Sequence, residues 1–210
     1  MKLLVLGATG RTGRELLAGA LRQGHEVTAL ARDPSRLTVH DDRLRVCAGS
    51  AADPDTVDKA VAGQDAVLCA LGPTSARELV HSELMRASVS ALLGAMERHG
   101  VRRLILLSAL GVGESARDAP RIPRFAFGTI LRRVGKDKER AEDAVQASRL
   151  EWTILYPPAL TNGPATGGYR HGESLKLSGS PKISRADVAQ LMLAQLTDDR
   201  YVRKGAIVGP

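Results

Sequence analysis

The fold of this 210-residue chain is decided by its first stretch, Lys2-Leu3-Leu4-Val5-Leu6-Gly7-Ala8-Thr9-Gly10-Arg11-Thr12-Gly13. The apolar residues before Gly7 predict a buried strand, and the amphipathic residues 14–23 predict a helix, so the glycines lie in the turn between them. The N–H groups and the dipole at the start of such a helix attract an anion, and glycine lets a phosphate approach the backbone. This context predicts a dinucleotide site, with a plain strand-to-helix loop as the alternative.

Each glycine of this turn has a separate predicted role. Gly7 makes the tight turn, Gly10 permits the close approach of a phosphate, and Gly13 lets the helix pack closely on the sheet. The spacing is G-x-x-G-x-x-G, which differs from the usual G-x-G-x-x-G, so the flanking strand and helix carry much of the inference.

The composition indicates one globular α/β domain of 210 residues, since no linker, repeat or low-complexity tract interrupts the chain. Cys47 and Cys69 lie in strand-like apolar runs and are expected in the core of a protein from a reducing compartment. The chain starts directly with a strand and has no apolar run of membrane length, so we expect a cytoplasmic protein that does not enter a membrane. Its net charge of +7 comes with only 3% aromatic residues. This pairing favours an anionic small molecule over nucleic acid.

Strands and helices alternate along the remaining sequence. Strands are predicted at residues 26–32, 44–48, 65–71, 103–107, 151–156 and 205–208, and helices at 53–61, 79–99, 136–148 and from Ser184 or Asp187 to 197. This order predicts an α/β fold: a doubly wound, mostly parallel sheet with helices on both faces, the NAD(P)-binding Rossmann type.

The end of the second strand bears on the choice of cofactor. Arginine at this place accommodates a 2′-phosphate, whereas an acidic residue holds a free 2′-hydroxyl. Arg32 closes the strand and Arg36 follows one turn later, so NADP(H) is favoured over NAD(H). Asp33 is the competing acidic candidate if the strand ends later.

Two further strand ends are expected at the same edge of the sheet. The fourth strand ends in Leu71-Gly72, where glycine would let the chain pass near the cofactor or make an ordinary turn. The fifth delivers Ser108, whose hydroxyl would meet a substrate or the nicotinamide, or else satisfy loop backbone.

With these residues in view, the chain resembles the atypical short-chain dehydrogenase/reductases, the NAD(P)H-binding group that includes flavin reductase (biliverdin reductase B). The likeness rests on G-A-T-G-R-T-G at 7–13, A-R-D-P-S-R-L at 31–37, V-D-K-A-V-A-G-Q-D-A-V at 57–67, Leu71-Gly72, Ser108-Ala109, Tyr156-Pro157-Pro158 and I-S-R-A-D-V-A at 183–189.

The resemblance implies a set of cofactor contacts. NADP(H) would be held by the glycine turn, by the arginines that meet the 2′-phosphate, by the chain after Leu71 and by residues beside the nicotinamide: Gly7, Thr9, Gly10, Arg11, Thr12, Gly13, Arg32, Arg36, Leu71, Gly72, Ser108, Tyr156, Pro157 and Pro158. Ser50 stands where relatives often carry an aspartate that meets the adenine, so this contact is in question.

The sequence also lacks the Tyr-x-x-x-Lys pair of typical family members, because no tyrosine is followed four residues later by lysine. Without that proton relay, an acceptor such as a flavin, quinone or tetrapyrrole is favoured over a simple ketone or a sugar. We therefore predict an NADPH-dependent reductase of a planar, possibly anionic acceptor, with Ser108 orienting it and Lys138 or Tyr169 as outer participants. Lys138 is also spaced i, i+4 from Glu142, which would suit a surface salt bridge.

The two rival functions are an NADP(H) sensor without turnover and an epimerase- or dehydratase-like enzyme. A substrate-side insert is predicted at about 110–135, where Pro120 to Phe127 would form a lid or an interaction surface and Arg124 would attract an anionic acceptor. A loop at about 157–182 would border the site. We expect a monomer or a small homo-oligomer without a metal.

Overall fold

The computed structural model describes residues 1–72, 84–117 and 132–210. Its strands are β1 (Lys2–Leu6), β2 (Glu26–Ala31), β3 (Leu44–Ala48), β4 (Ala66–Cys69), β5 (Arg103–Leu107), β6 (Glu151–Tyr156), β7 (Ala159–Thr161), β8 (Arg170–Gly172), β9 (Lys182–Ser184) and β10 (Lys204–Gly209). Its helices are α1 (Arg11–Arg22), α2 (Pro54–Val61), α3 (Leu84–His99), α4 (Arg132–Ala147) and α5 (Arg185–Ala194).

Eight strands form one sheet in the order β3-β2-β1-β4-β5-β6-β10-β8, and β7 pairs with β9 in a small second sheet. All neighbours in the large sheet are parallel except β10 and β8. The order reverses direction on either side of β1, which is the switch point where ligands bind in such sheets. The predicted fold, a doubly wound and mostly parallel sheet, is confirmed.

Helices cover both faces of the sheet because its strands are apolar on both sides. Leu3 and Val5 of β1 point into a cluster with α1 and α5. Leu4 and Leu6 point into a second cluster on the other face, where α3 packs against α2 and α4. Burial on both faces explains why β1 is a continuous apolar run rather than an alternating one.

The register of the central strands aligns their carboxyl ends. Leu6 at the end of β1 pairs with Leu30 of β2 and with Cys69 of β4. Cys69 pairs in turn with Leu106 of β5. The residues that follow these strands therefore emerge side by side along one edge, with neighbouring strands about 4.8 Å apart.

Several predicted boundaries differ from the structure. Helix α1 begins at Arg11 instead of residue 14, because the glycine turn ends at Gly10. Helix α4 is already formed at residue 132, so the predicted insert ends earlier than 135. Ser184 caps α5 by accepting a hydrogen bond from the Asp187 N–H, which decides between the two predicted starts. Strands β7, β8 and β9 were not predicted.

No helix in the described part of the chain has the length and apolar character needed to cross a membrane.

Candidate functional site

A cavity of about 610 Å³ lies at the carboxyl edge of the sheet, where β1, β2, β4 and β5 end. The predicted site residues that line it are Gly7, Thr9, Gly10, Arg11, Thr12, Arg32, Arg36, Leu71, Gly72, Ser108 and Lys138. Arg32 follows β2, Gly7 follows β1, Leu71 follows β4 and Ser108 follows β5, so these residues are laid out in strand order across the edge. The cavity is thus elongated across four strands.

The glycine turn forms the middle of this cavity. Gly7 has φ +79°, and a Cβ added there would lie 2.6 Å from the Ala70 carbonyl oxygen. The Gly10 N–H donates to the Gly7 carbonyl at 2.9 Å and Gly10 then caps α1 without any side chain. The first N–H groups of α1 therefore remain for a bound anion, and its first turn carries no acidic residue. These features fit the phosphates of a dinucleotide.

The wall of the cavity is cationic. No Asp or Glu of the described residues lines it, whereas six basic side chains do: Arg11, Arg14, Arg32, Arg36, Lys138 and Arg185. The Arg14 guanidinium donates to the Arg36 carbonyl at 3.2 Å, which ties the start of α1 to the turn after β2. Burial lowers the pKa of the Arg185 guanidinium, and the nearby positive charge of Arg11 lowers it further. Such a concentration of like charge favours an anionic ligand.

Asp33, the competing acidic candidate, is engaged in local structure. Its carboxylate accepts hydrogen bonds from the Ser35 N–H at 3.1 Å and from the Ser35 hydroxyl at 2.6 Å. It thereby caps a short 3₁₀ turn at Pro34–Arg36 and does not line the cavity. Strand β2 also ends at Ala31, one residue earlier than predicted. Arg32 and Arg36 therefore follow the strand end and line the cavity.

On the β3 side, the cavity is lined by Gly49 and Ala51 but not by Ser50. The Ser50 hydroxyl instead accepts a hydrogen bond from the Ala52 N–H at 3.2 Å. The Ser50 hydroxyl therefore takes part in a local turn in this structure.

A buried polar cluster lies at the other end of the cavity, beside β5. The Ser108 hydroxyl is hydrogen-bonded to Oε1 of Glu142, and the Tyr156 hydroxyl donates to Oε2 of the same carboxyl at 3.0 Å. Exposure is 7% for Ser108, 2% for Glu142 and 2% for Tyr156. The alternative that Ser108 merely satisfies loop backbone is therefore wrong for its side chain.

Two glycines leave room for this cluster. Gly113 has φ +50°, and a Cβ there would collide with Oε2 of Glu142. A Cβ on Gly205 of β10 would lie 2.7 Å from the Tyr156 ring. The loop after Ser108 consequently packs its backbone directly over the Glu142 carboxyl, and the sheet makes space for the tyrosine.

The electrostatics of the cluster follow from its burial. Burial raises the pKa of Glu142 to about 7, although the hydrogen bonds from Ser108 and Tyr156 and the charge of Lys138 oppose the shift. Burial also lowers the pKa of Lys138, which is 7% exposed. The pKa of Tyr156 is raised by burial and by the neighbouring Glu142. A carboxyl poised near neutrality beside a ligand cavity is characteristic of a functional site.

Comparison with known proteins identifies the family. A family model described as NAD(P)H-binding matches residues 7–199. The chain belongs to the NAD(P)H-binding family. This agrees with the resemblance to atypical short-chain dehydrogenase/reductases and supports an oxidoreductase.

Three known proteins illustrate the likeness. The (4-alkanoyl-5-oxo-2,5-dihydrofuran-3-yl)methyl phosphate reductase of Streptomyces griseus is 32% identical over 215 residues, covering 99% of this chain and 68% of that protein. The anaerobilin reductase ChuY of Escherichia coli O157:H7 has TM-score 0.83 at 24% identity, covering 99% and 96%. A short-chain dehydrogenase/reductase of Veillonella parvula in complex with NADP has TM-score 0.81 at 21% identity, covering 100% and 94%. The two structures share the Rossmann-like fold.

Five predicted site residues do not line the cavity of this NAD(P)H-binding domain: Gly13, Tyr156, Pro157, Pro158 and Tyr169. Gly13 packs against the Gly7 backbone, as its predicted packing role requires. The Pro157 carbonyl accepts from the Leu110 N–H at 2.8 Å, so it holds the loop after Ser108, and Pro158 is buried beside it. The half-buried Tyr169 ring stacks obliquely 6.1 Å from His171, and burial raises its pKa.

The predicted loop at 157–182 contributes Leu160 to the cavity. Arg185 donates to the Leu160 carbonyl at 3.1 Å and to Asn162 Oδ1 at 2.7 Å, which fixes this part of the loop. Farther along, Asp187 accepts from the N–H groups of Thr166 and Gly167 at 2.7 and 2.9 Å. The predicted lid or surface at Pro120 to Phe127, with Arg124, lies outside the described residues.

Sequence reasoning missed Glu142 and also did not single out Arg14 and Arg185, two basic residues that line the cavity. The spacing of Glu142 with Lys138 suggested a surface salt bridge, but both side chains are buried, so that alternative is wrong. The signal was present in the helix pattern, because Lys138 and Glu142 share the spacing of the buried residues Val134, Ala141 and Val145. No group of His, Cys, Asp and Glu in the described ranges could hold a metal ion.

Proposed function

We propose that this chain is an NADPH-dependent reductase that transfers hydride to a flavin, quinone or tetrapyrrole-like acceptor. The observation that carries the proposal is the cavity itself, which joins a glycine turn, a cationic wall and a buried serine–carboxyl pair along one sheet edge. When bound, the nicotinamide cofactor supplies the hydride, and the protein supplies orientation and electrostatics.

The distribution of charge favours NADP(H) over NAD(H). The turn after β1 and the N-terminus of α1 would hold the pyrophosphate, while Arg32 and Arg36 would meet the 2′-phosphate. Asp33 is occupied by the Ser35 hydrogen bonds and leaves the adjoining surface to the arginines. The extra phosphate of NADP(H) matches the excess of positive charge in the cavity better than a ribose hydroxyl does.

The buried cluster favours turnover over the alternative of an NADP(H) sensor. A protein that only reports nucleotide binding has no need of a sealed carboxyl joined to a cavity-lining serine, whereas hydride transfer benefits from such a group. The absence of the Tyr-x-x-x-Lys pair means that any proton relay here differs from that of typical family members. The Streptomyces griseus relative is named as a reductase, which supports reduction as the reaction class. The acceptor has to be identified by experiment.

The test is paired. NADPH and NADH are titrated against the protein by fluorescence, and loss of the absorbance of the reduced nicotinamide is then followed on adding FMN, menadione or biliverdin. We expect tighter binding of NADPH than of NADH and steady oxidation with at least one acceptor. Ser108→Ala should slow turnover about 100-fold while leaving NADPH affinity nearly unchanged.

The contrary outcomes separate the alternatives. Tight NADPH binding with no oxidation by any of these acceptors would refute the reductase and favour an NADP(H) sensor. If neither nucleotide bound, the cavity would have been assigned to the wrong ligand.

A further inference from the structure

Glu142 lies directly behind Ser108 as seen from the cavity. Ser108 lines the cavity, whereas Glu142 and Tyr156 do not. The Glu142 carboxyl contacts Ser108 through Oε1 and Tyr156 through Oε2, so both of its oxygens are engaged. The three side chains therefore form a line of hydrogen bonds that leads from the interior to the ligand.

The protons of this line can be counted. The Tyr156 hydroxyl stays protonated, because burial and Glu142 raise its pKa, and it donates to Oε2. When Glu142 is a carboxylate, the Ser108 hydroxyl donates to Oε1 and only accepts from the cavity. When Glu142 is a carboxylic acid, Oε1–H donates to Ser108, whose own proton is then available to a ligand. The protonation of Glu142 thus decides whether Ser108 is a donor toward the cavity.

We propose that Glu142 is the proton source of the reductase and delivers its proton through the Ser108 hydroxyl to the acceptor. The inference rests on the function proposed above and deepens it. It assigns the acceptor to a chemical class: a conjugated molecule that takes up one hydride and, at an oxygen or nitrogen next to Ser108, one proton.

The step balances. The acceptor gains two electrons and a proton as hydride, the reduced nicotinamide is oxidised, and the acceptor heteroatom takes the Ser108 proton. The Glu142 O–H bond breaks as the Ser108 O–H bond reforms, so serine is unchanged. Glu142 is left as a carboxylate that Tyr156 and Lys138 stabilise, and a solvent acid, hydronium or a buffer acid, later returns its proton through Ser108.

The charged surroundings suit this role. The titratable groups facing the cluster are Lys138 and Asp143 on α4, Tyr156 on β6 and Glu114 in the 3₁₀ turn after β5, with Asp137 and Cys69 facing Lys138. Burial outweighs the nearby lysine and places the pKa of Glu142 at about 7. An acid of this strength is protonated in about half of the molecules at neutral pH and still gives up its proton readily.

The first experiment measures the pH profile of kcat for NADPH oxidation with the acceptor that is turned over. We expect kcat to fall about tenfold between pH 6 and pH 8, because Glu142 loses its proton over this range. Glu142→Gln should lower kcat about 100-fold and flatten the profile, with the KM for NADPH nearly unchanged. Glu139→Gln is the matched control, since this exposed residue lies on the same helix and should keep the wild-type profile.

The second experiment needs no cofactor. Infrared difference spectra of the protein alone, recorded across neutral pH, should show the C=O stretch of a buried carboxylic acid that titrates near pH 7. The band should be missing in Glu142→Gln and present in Glu139→Gln. If Glu142→Gln does not fold, Ser108→Ala replaces it: the band should remain while the fall of kcat with pH is lost.

The outcomes distinguish the two proposals. Steady turnover with a pH profile that Glu142→Gln or Ser108→Ala leaves unchanged would overturn the relay and leave the reductase standing. A carboxylic acid band that stays absent at every pH would do the same. Failure of NADPH oxidation with every acceptor would overturn both.

Discussion

The two ends of the cavity are built in opposite ways. At the glycine turn and the end of β2, the cavity is lined by residues close together in sequence, and their arginines are exposed. At the end of β5, a cluster is assembled from Ser108, Glu142 and Tyr156, which come from three separated segments and are almost fully buried.

The exposed end is therefore suited to binding the ligand, and the buried end to the chemical step. The exposed end can hold phosphates by charge and backbone N–H groups, which work well in water-accessible positions. The buried end alters the proton affinity of a carboxyl, which requires the removal of water. Loss of a charged side chain at the first end should therefore change binding alone, whereas a backbone clash in its glycine turn should change both binding and stability. Changes at the second end should alter stability and pH dependence.

The largest effect should come from Gly13→Ala in the turn. A Cβ on Gly13 would clash with the Gly7 carbonyl and lie 2.8 Å from the Ala8 Cα, both of them backbone atoms that cannot move aside. We expect a loss of about 3 kcal/mol in the free energy of unfolding, with NADPH binding lost as well. Urea denaturation measures the first and titration the second. Gly163→Ala is the control, since nothing lies within 4 Å of its added Cβ; similar losses in both variants would refute the packing argument.

The buried end should make stability depend on pH. The pKa of Glu142 is raised from 4.5 to about 7 in the folded state, so the folded protein binds the proton more tightly than the unfolded chain. Its contribution is fully present below 4.5 and is lost as the pH rises through 7, which lowers the free energy of unfolding by about 2 kcal/mol between pH 5 and pH 8. Denaturation curves of wild type minus Glu142→Gln isolate this contribution. A difference that did not vary with pH would contradict the raised pKa.

The exposed arginines should affect affinity alone. Arg36→Ala should weaken NADPH binding about tenfold, because a charged contact to the 2′-phosphate is lost, and should leave NADH binding and the melting temperature nearly unchanged. Arg45→Ala removes the same charge from exposed β3, outside the cavity lining, and serves as the control. An equal loss of affinity for NADPH and NADH would show that Arg36 contacts a phosphate that both nucleotides carry.

The smallest effect is expected for Asp33→Asn. The amide oxygen can still accept the Ser35 hydrogen bonds, so the 3₁₀ turn should persist. We expect NADH affinity to change by less than about twofold, since Asp33 is already engaged. A loss of about tenfold or more in NADH binding alone would show that Asp33 holds a ribose hydroxyl instead.

The residues that line the exposed end could be picked out from the sequence because their signals are local. Gly7, Gly10 and Arg32 can be placed from a strand, a turn and a helix within one βαβ unit, and the apolar runs of β1, β4 and β5 allow little other than a parallel sheet. Local signals also place a helix at 53–61, and in the structure Asp53 caps α2 by accepting from the Thr56 N–H at 3.2 Å.

The buried end could not be predicted in the same way. Whether Glu142 is exposed depends on what packs against its carboxyl, which includes the loop at Gly113 and the Tyr156 hydroxyl, 29 and 14 positions away in sequence. Strands β7, β8 and β9 have three residues each and gain their pairing from distant partners, as β8 does from β10. Such contacts are tertiary, so no local pattern reports them.

The backbone of Gly113 over the Glu142 carboxyl has one more consequence. Because Glu142 is only 2% exposed and its carboxyl contacts Ser108, which lines the cavity, Ser108 offers a route by which Glu142 can exchange its proton. Glu142 can then supply one proton in each turnover, and it is protonated again after product has left the cavity. The rate of reprotonation would depend on small buffer acids that can enter the empty cavity, so turnover at saturating acceptor should rise with buffer concentration at constant pH.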